Sequence, residues 1–179
     1  MKIEVASTAG FCFGVDRAVN TVYRLLEEGK RAATLGPIIH NPQVIGEFEA
    51  RGVRIVEKPE DTPPGYTLVI RSHGVPREVE EEIQRLNIPY VDATCPFVKK
   101  IHQLAERSGE EGKVFLLAGD KDHPEVKGIV GHCKGENFVV KNSEELVELL
   151  KKYPELARKP LAFAAQTTFH AGELKTKNQ

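Results

Sequence analysis

The chain has 179 residues, with 25 Lys+Arg against 26 Asp+Glu and a formal charge of −1. That balance excludes a broadly basic nucleic-acid-binding or membrane-surface protein. The longest apolar runs, Val114–Ala118 and Leu161–Ala165, are far too short to cross a bilayer, and 40% hydrophobic residues suit one large globular domain or two small ones.

Short β-branched runs alternate with amphipathic ones along the whole chain. Lys2–Ala6 reads as a strand. Val15–Glu28 follows as a helix, with Val15, Ala18, Val19, Val22, Leu25 and Leu26 at helical spacing and Gly29 as its stop. Ala32–Leu35 is a strand. Asn41-Pro42 opens a helix, as N-cap and first-turn proline, that ends at Arg51. Val53–Val56 and Tyr66–Ile70 are strands. Pro76–Leu86 is a charged, exposed helix, Tyr90–Val91 a minimal strand and Pro96–Ser108 another helix.

The second half repeats the rhythm. Val114–Ala118 is a fully apolar strand, Pro124–Gly131 a short helix and Phe138–Val140 a strand. Asn142 and Glu145 form a capping box for the helix Ser143–Lys151. Leu161–Ala165 is the last strand. This alternation predicts an α/β protein of mainly parallel sheets covered on both faces. It divides into two similar small α/β domains, residues 1–96 and 97–179. No P-loop or dinucleotide fingerprint is present.

The chemistry-bearing residues fall in register with that pattern. Cys12 follows the first strand, His40 the second, His73 the run Tyr66–Ile70 and Cys95 the run Tyr90–Val91. His123 and Glu125 follow Val114–Ala118, and Gln166-Thr167-Thr168 follow Leu161–Ala165. Ligands of open parallel sheets bind outside the carboxyl ends of the strands. Pro42, Pro76, Pro96 and Pro124 open the helices that follow four of these loops. Their free first-turn amides, beside histidines, predict a site for a phosphate or diphosphate. His40, His73 and His123 are expected to meet at one anion site.

Taken singly, each residue has a plainer reading. A lone cysteine is commonly a small buried hydrophobe, a loop histidine a solvated one, and Glu125 a helix-capping acid. The shared edge is what argues otherwise. Cys133, His102, His132 and His170 stand outside the pattern: Cys133 reads as structural and the three histidines as surface residues.

Three cysteines are too few, and odd in number, for a disulfide framework, and Glu4 stands where a signal peptide would need its apolar core. A cytoplasmic, reducing compartment is the expectation. Zinc would favour paired ligands at short spacing, which are absent. Single cysteines on separate loops suit an iron–sulfur cluster, while a Cys-His nucleophile remains open.

The segments Gly10-Phe11-Cys12-Phe13-Gly14-Val15-Asp16-Arg17-Ala18-Val19, His40-Asn41, Ser72-His73-Gly74-Val75, Asp92-Ala93-Thr94-Cys95-Pro96, His123-Pro124-Glu125-Val126 and Gln166-Thr167-Thr168 resemble, in order and spacing, the 4-hydroxy-3-methylbut-2-enyl diphosphate reductase family. The resemblance covers essentially the whole chain. It implies reductive dehydroxylation of that diphosphate to isopentenyl and dimethylallyl diphosphate, the last step of non-mevalonate isoprenoid biosynthesis. It also implies three similar α/β domains around a central 4Fe-4S cluster held by three cysteines.

Cys12 and Cys95 match the first two cluster ligands. His40, His73 and His123 match the residues around the diphosphate and the substrate hydroxyl. Glu125 matches the proton-relay acid, and Thr167 and Thr168 the hydroxyl pair near it. Ferredoxin or flavodoxin is the implied electron donor. The family's third domain, its third cluster cysteine and its serine/asparagine diphosphate motif have no counterpart here. The chain therefore reads as the first two-thirds of such an enzyme, with the first strand and the Cys12 loop expected to pack on that domain. Two other readings compete with the reductase. One is a non-catalytic α/β module holding a phosphorylated ligand through its histidine loops; the other is a zinc-dependent hydrolase.

Overall fold

The computed structural model describes Glu4 and residues 10–174. The strand expected at Lys2–Ala6 lies outside the described residues. Seven strands and six α-helices are present among those described. They divide into two compact units. The first takes the chain up to Ser72 together with Pro89–Cys95, and the second takes His73–Ile88 and the chain from Pro96 onward.

The first unit holds a four-stranded, all-parallel sheet of order β2-β1-β3-β4. Its strands are β1 (Arg31–Leu35), β2 (Arg54–Val56), β3 (Tyr66–Ile70) and β4 (Tyr90–Asp92). β1 pairs with β2 on one side and β3 on the other, and Ala32, Ala33, Thr34 and Leu35 are all buried. A strand buried on both faces needs such a continuous run rather than an alternating one. Helix α1 (Phe13–Glu27) lays Ala18, Val19, Val22 and Leu25 into the same core as Phe48 of α2 (Pro42–Ala50), Ile38, Ile39 and Val69.

The helices of this unit stop by a common device. After α1, the Gly29 N–H donates to the Leu26 carbonyl and the Lys30 N–H to that of Leu25, with Gly29 at φ 69°. This pair of bonds satisfies end carbonyls and needs a left-handed residue, for which glycine has no Cβ penalty. The same pair follows α2 at Gly52 and Val53.

The second unit holds a three-stranded parallel sheet of order β6-β5-β7. Its strands are β5 (Val114–Ala118), β6 (Asn137–Val140) and β7 (Leu161–Ala165). All five residues of the central strand β5 are buried. Phe115 and Leu117 pack with Ala105 of α4 (Pro96–Glu110) and with Val126 and Ile129 of α5 (Pro124–Val130). Helix α3 (Arg77–Arg85) buries Ile83 completely, so it is charged but not wholly exposed.

Two expectations need correction. Pro76 stands at the N-cap of α3, one residue outside the helix, rather than in its first turn. The second sheet is not covered on both faces by the described residues: Leu161 and Phe163 of β7 are 45% and 50% exposed, and α6 (Ser143–Lys152) has no buried residue. That helix depends on its cap. Asn142 Oδ1 accepts from the Glu145 N–H at 2.9 Å, while the Glu145 carboxylate reaches back to the N–H of Lys141 at 2.8 Å.

Leu117→Ala should cost about 2–5 kcal/mol of stability in urea denaturation, since it truncates a fully buried side chain at the centre of the core. Asn142→Ala should cost about 1 kcal/mol and fray only α6. Equal losses in the two variants would contradict this division between core and cap.

Candidate active site

In the first unit the two edge cysteines come to the start of one helix. Cys12 is the N-cap of α1, exposed, and its side chain makes no capping hydrogen bond. Cys95 follows β4, and its thiol lies against Gly14, in the first turn of α1. A Cβ on Gly14 would stand 2.5 Å from Cys95 Sγ. Only glycine at this position leaves that thiol its place.

The Cys95 loop is tied down from three sides. Arg17 Nη1 donates to the Thr94 carbonyl at 2.9 Å and Nη2 to the Asp92 carbonyl at 3.3 Å. The Asp92 carboxylate accepts from the Thr94 N–H at 2.8 Å, and the Cys95 N–H donates to the Ser72 carbonyl at 2.9 Å. Arg17 belongs to the first sequence motif, but its task is not readable there, because its targets are more than seventy residues away. Arg71 was equally silent. Its guanidinium lies against Gly36 at the end of β1, where burial lowers its pKa and the charge of Glu57 opposes that shift.

His40 is exposed, in the loop between β1 and α2. The neighbouring Asn41 Oδ1 accepts from the N–H groups of Gln43 and Val44 at 3.0 and 3.2 Å. Those first-turn amides are therefore occupied. The same holds in the second unit, where His123 Nδ1 accepts from the Glu125 N–H at 3.1 Å. The expectation of free amides at all the proline-started helices fails at these two.

The second unit gathers the acid, two histidines and the threonines. His73 and His123 meet edge to face, with ring centroids 5.3 Å apart and planes at 88°. Because His123 Nδ1 is an acceptor, the proton of its neutral ring sits on Nε2. Glu125 is only 2% exposed, within the first turn of α5. Its carboxylate is held by a single residue, just past the end of the neighbouring strand β7. Oε1 accepts from the Thr167 N–H at 2.6 Å, and Oε2 from the Thr167 hydroxyl at 2.7 Å.

The threonine pair divides its work. Thr168 does not share the carboxylate; its hydroxyl accepts from Gln166 Nε2 at 2.9 Å. Gln166 Oε1 in turn accepts from the Asp120 N–H at 3.1 Å, which ties the loops after β5 and β7 together.

Of the residues outside the edge pattern, His170 is exposed as expected, but His102 and His132 are not surface residues: both are buried, at 6% and 5% exposure. Cys133 packs against the core of the second sheet, and burial pushes its thiol up to about 11. A thiol so reluctant to ionise is a poor metal ligand.

Thr167→Val removes the hydroxyl donor and leaves one oxygen of a buried carboxyl short of a partner. It should cost about 1–3 kcal/mol in urea denaturation, and Thr167→Ser should restore most of it. A valine variant as stable as the parent would show that this bond carries no weight.

The LytB protein family model matches residues 3–178. The 4-hydroxy-3-methylbut-2-enyl diphosphate reductase of Thermoanaerobacter sp. (strain X514) is 41% identical over 172 residues, covering 94% of this chain and 58% of that protein. The enzyme of the same name from Geobacter metallireducens is 42% identical over 175 residues, covering 98% of this chain and 60% of its own length. The chain thus spans about three-fifths of these relatives.

Among solved structures, (E)-4-hydroxy-3-methyl-but-2-enyl diphosphate reductase, described as the terminal enzyme of the non-mevalonate pathway, superposes with a TM-score of 0.78 at 40% identity. It covers 95% of this chain and 59% of that one. The Plasmodium falciparum E-1-hydroxy-2-methyl-but-2-enyl-4-diphosphate reductase gives a TM-score of 0.84 at 29% identity over 93% of this chain and 52% of its own. With the family model running almost end to end over the two parallel-sheet units, this chain belongs to the LytB protein family.

Proposed function

We propose that this chain supplies the acid, the diphosphate ligands and two cluster cysteines of a 4-hydroxy-3-methylbut-2-enyl diphosphate reductase. The observation that carries the reading is Glu125: a buried carboxyl, two residues from His123, held in one orientation by both donors of Thr167. Family membership supports the substrate. The first-unit thiols suit an iron–sulfur cluster, since both are free, Cys12 is exposed and Gly14 keeps clear the space that Cys95 Sγ occupies. When bound, a 4Fe-4S cluster held by Cys12 and Cys95 supplies electrons, received singly from ferredoxin or flavodoxin, and an iron that polarises the substrate C–O bond.

The chain's own residues do the rest. His40, His73 and His123 bind the diphosphate through ring N–H donors. Glu125, in its acid form, gives a proton to the departing hydroxyl, which leaves as water. Two electrons and a second proton, added at either end of the allyl fragment, then complete isopentenyl or dimethylallyl diphosphate. Thr167 keeps the Glu125 carboxyl from turning away, and Thr168 with Gln166 holds the loop that carries it. Three free thiols support a reducing, cytoplasmic setting.

Glu125→Gln is isosteric, and the Thr167 hydroxyl can turn to accept from the new amide. In a reductase assay of the intact enzyme the variant should keep substrate affinity and lose about three orders of magnitude in turnover, within the range of a positioned acid. Near-normal turnover would remove Glu125 from the acid's role.

Anaerobic reconstitution followed by iron analysis tests the thiols. Cys12→Ser and Cys95→Ser should each lower bound iron, while Cys133→Ser should leave it unchanged. Equal iron in all three variants would disprove the ligand assignment.

A further inference from the structure

Helix α5 begins with the site and ends on a different task. His123 caps its start and Glu125 lies in its first turn, while Gly128, Gly131 and His132 lie along its body and exit. These last three meet one stretch of backbone, residues 73–76. A Cβ on Gly128 would stand 3.4 Å from the His73 carbonyl oxygen and 3.6 Å from the Gly74 carbonyl carbon. At Gly131 a Cβ would fall 2.8 Å from Pro76 Cα, closer than real contacts allow. The segment therefore rests directly on the helix, with only a glycine's clearance.

His132 makes the directed bond in this contact. Its Nε2 lies 3.0 Å from the Val75 carbonyl, which can only accept, so the ring donates. Glu80 Oε1, at 3.9 Å from the same nitrogen, is beyond hydrogen-bond range. His102 stacks on the ring, with centroids 4.1 Å apart and planes 23° from parallel. Both imidazoles are buried. Burying a polar ring is costly unless it is bonded, and the bond here is spent on the backbone two residues beyond His73.

We infer that His132 is a positioning residue for His73: through the Val75 carbonyl it holds the 73–76 backbone on the glycine face of α5, and so sets the His73 ring against His123. One short helix then places both histidines, His123 by carrying it and His73 by gripping its backbone. The inference rests on the reading that these two rings bind the substrate's diphosphate. Nothing in the local sequence requires a histidine at the exit of α5; leucine would fill the same space without a donor.

The test is NMR of the isotopically labelled chain, reading the through-space contact between the His73 and His123 ring protons, with calorimetric titration of inorganic pyrophosphate alongside. His132→Leu should remove the ring contact and weaken pyrophosphate binding about five- to tenfold, the worth of one hydrogen bond. His132→Gln, whose amide Nε2 can reach the same carbonyl, should restore both. A folded leucine variant that keeps the ring contact and the parent affinity overturns the inference. So does a folded glutamine variant that fails to restore either.

Should the leucine variant not fold, Gly131→Ala takes its place. Its methyl must displace Pro76, and unmoved His73 ring signals would overturn the inference. If the parent chain binds no pyrophosphate, the diphosphate reading fails, while the ring contact still decides the role of His132.

Discussion

Parallel pairing is the constraint on which the rest of this molecule depends. Each strand in both sheets runs in one direction. Every connection must therefore leave from the carboxyl edge and return across the sheet. Within the first unit this puts the loops after β1 and β4 on one edge; within the second it does the same for the loops after β5 and β7. His40 and Cys95 lie in the first pair of loops. His123 follows the third, with Glu125 in the helix it caps, and Thr167 and Thr168 lie in the fourth. The central strands, β1 buried from Ala32 to Leu35 and β5 along its whole length, supply the rigid floor under these loops.

Buried polar groups mark where that floor is put to use. Ser72, Thr94 and Gln166 are buried just beyond strand ends, and Glu125 is buried in the first turn of the helix that follows β5. A buried polar group without a partner costs about 1–3 kcal/mol, so each demands a specific donor or acceptor. Those demands link loops that are distant in sequence. Thr167 answers Glu125, Gln166 answers Asp120, and Arg17 answers Thr94. The bonds that satisfy the interior are thus the same ones that hold the reactive side chains still. Preorganised loops of this kind would keep the proton donor proposed at Glu125 in one orientation.

Close backbone approach is the other recurring device. Gly14 admits the Cys95 thiol to the start of α1, and Gly131 admits Pro76 to the end of α5. Both glycines lie in or beside helices, where the residue costs about 1 kcal/mol relative to alanine. Both are repaid by bringing a neighbouring segment within contact distance of a helix. The 73–88 segment belongs with the second unit for the same reason. It is bonded there through Val75 and His132 and through the Arg77–Glu106 ion pair.

Much of the fold is legible in the sequence because its signals are local. Every strand expected among the described residues is found within a residue or so at each end, and the Asn41 and Asn142 caps fall where the pattern puts them. The candidate site residues are also legible as a set, since each follows a strand. Their partners are not. Glu125 and Thr167 are 42 residues apart, His132 and Val75 57, and Arg17 and Thr94 77. No periodicity carries information over such distances. His102 and His132 read as surface residues because a histidine's burial depends on an acceptor and a stacking partner supplied by the fold. Thr167 and Thr168 are indistinguishable neighbours in the sequence, yet the backbone turns one toward Glu125 and the other toward Gln166. Local periodicity and capping chemistry determined the elements and the edge on which the reactive residues stand. Tertiary packing alone decided which of those residues touch, because only there do the desolvation costs of buried polar groups select their partners.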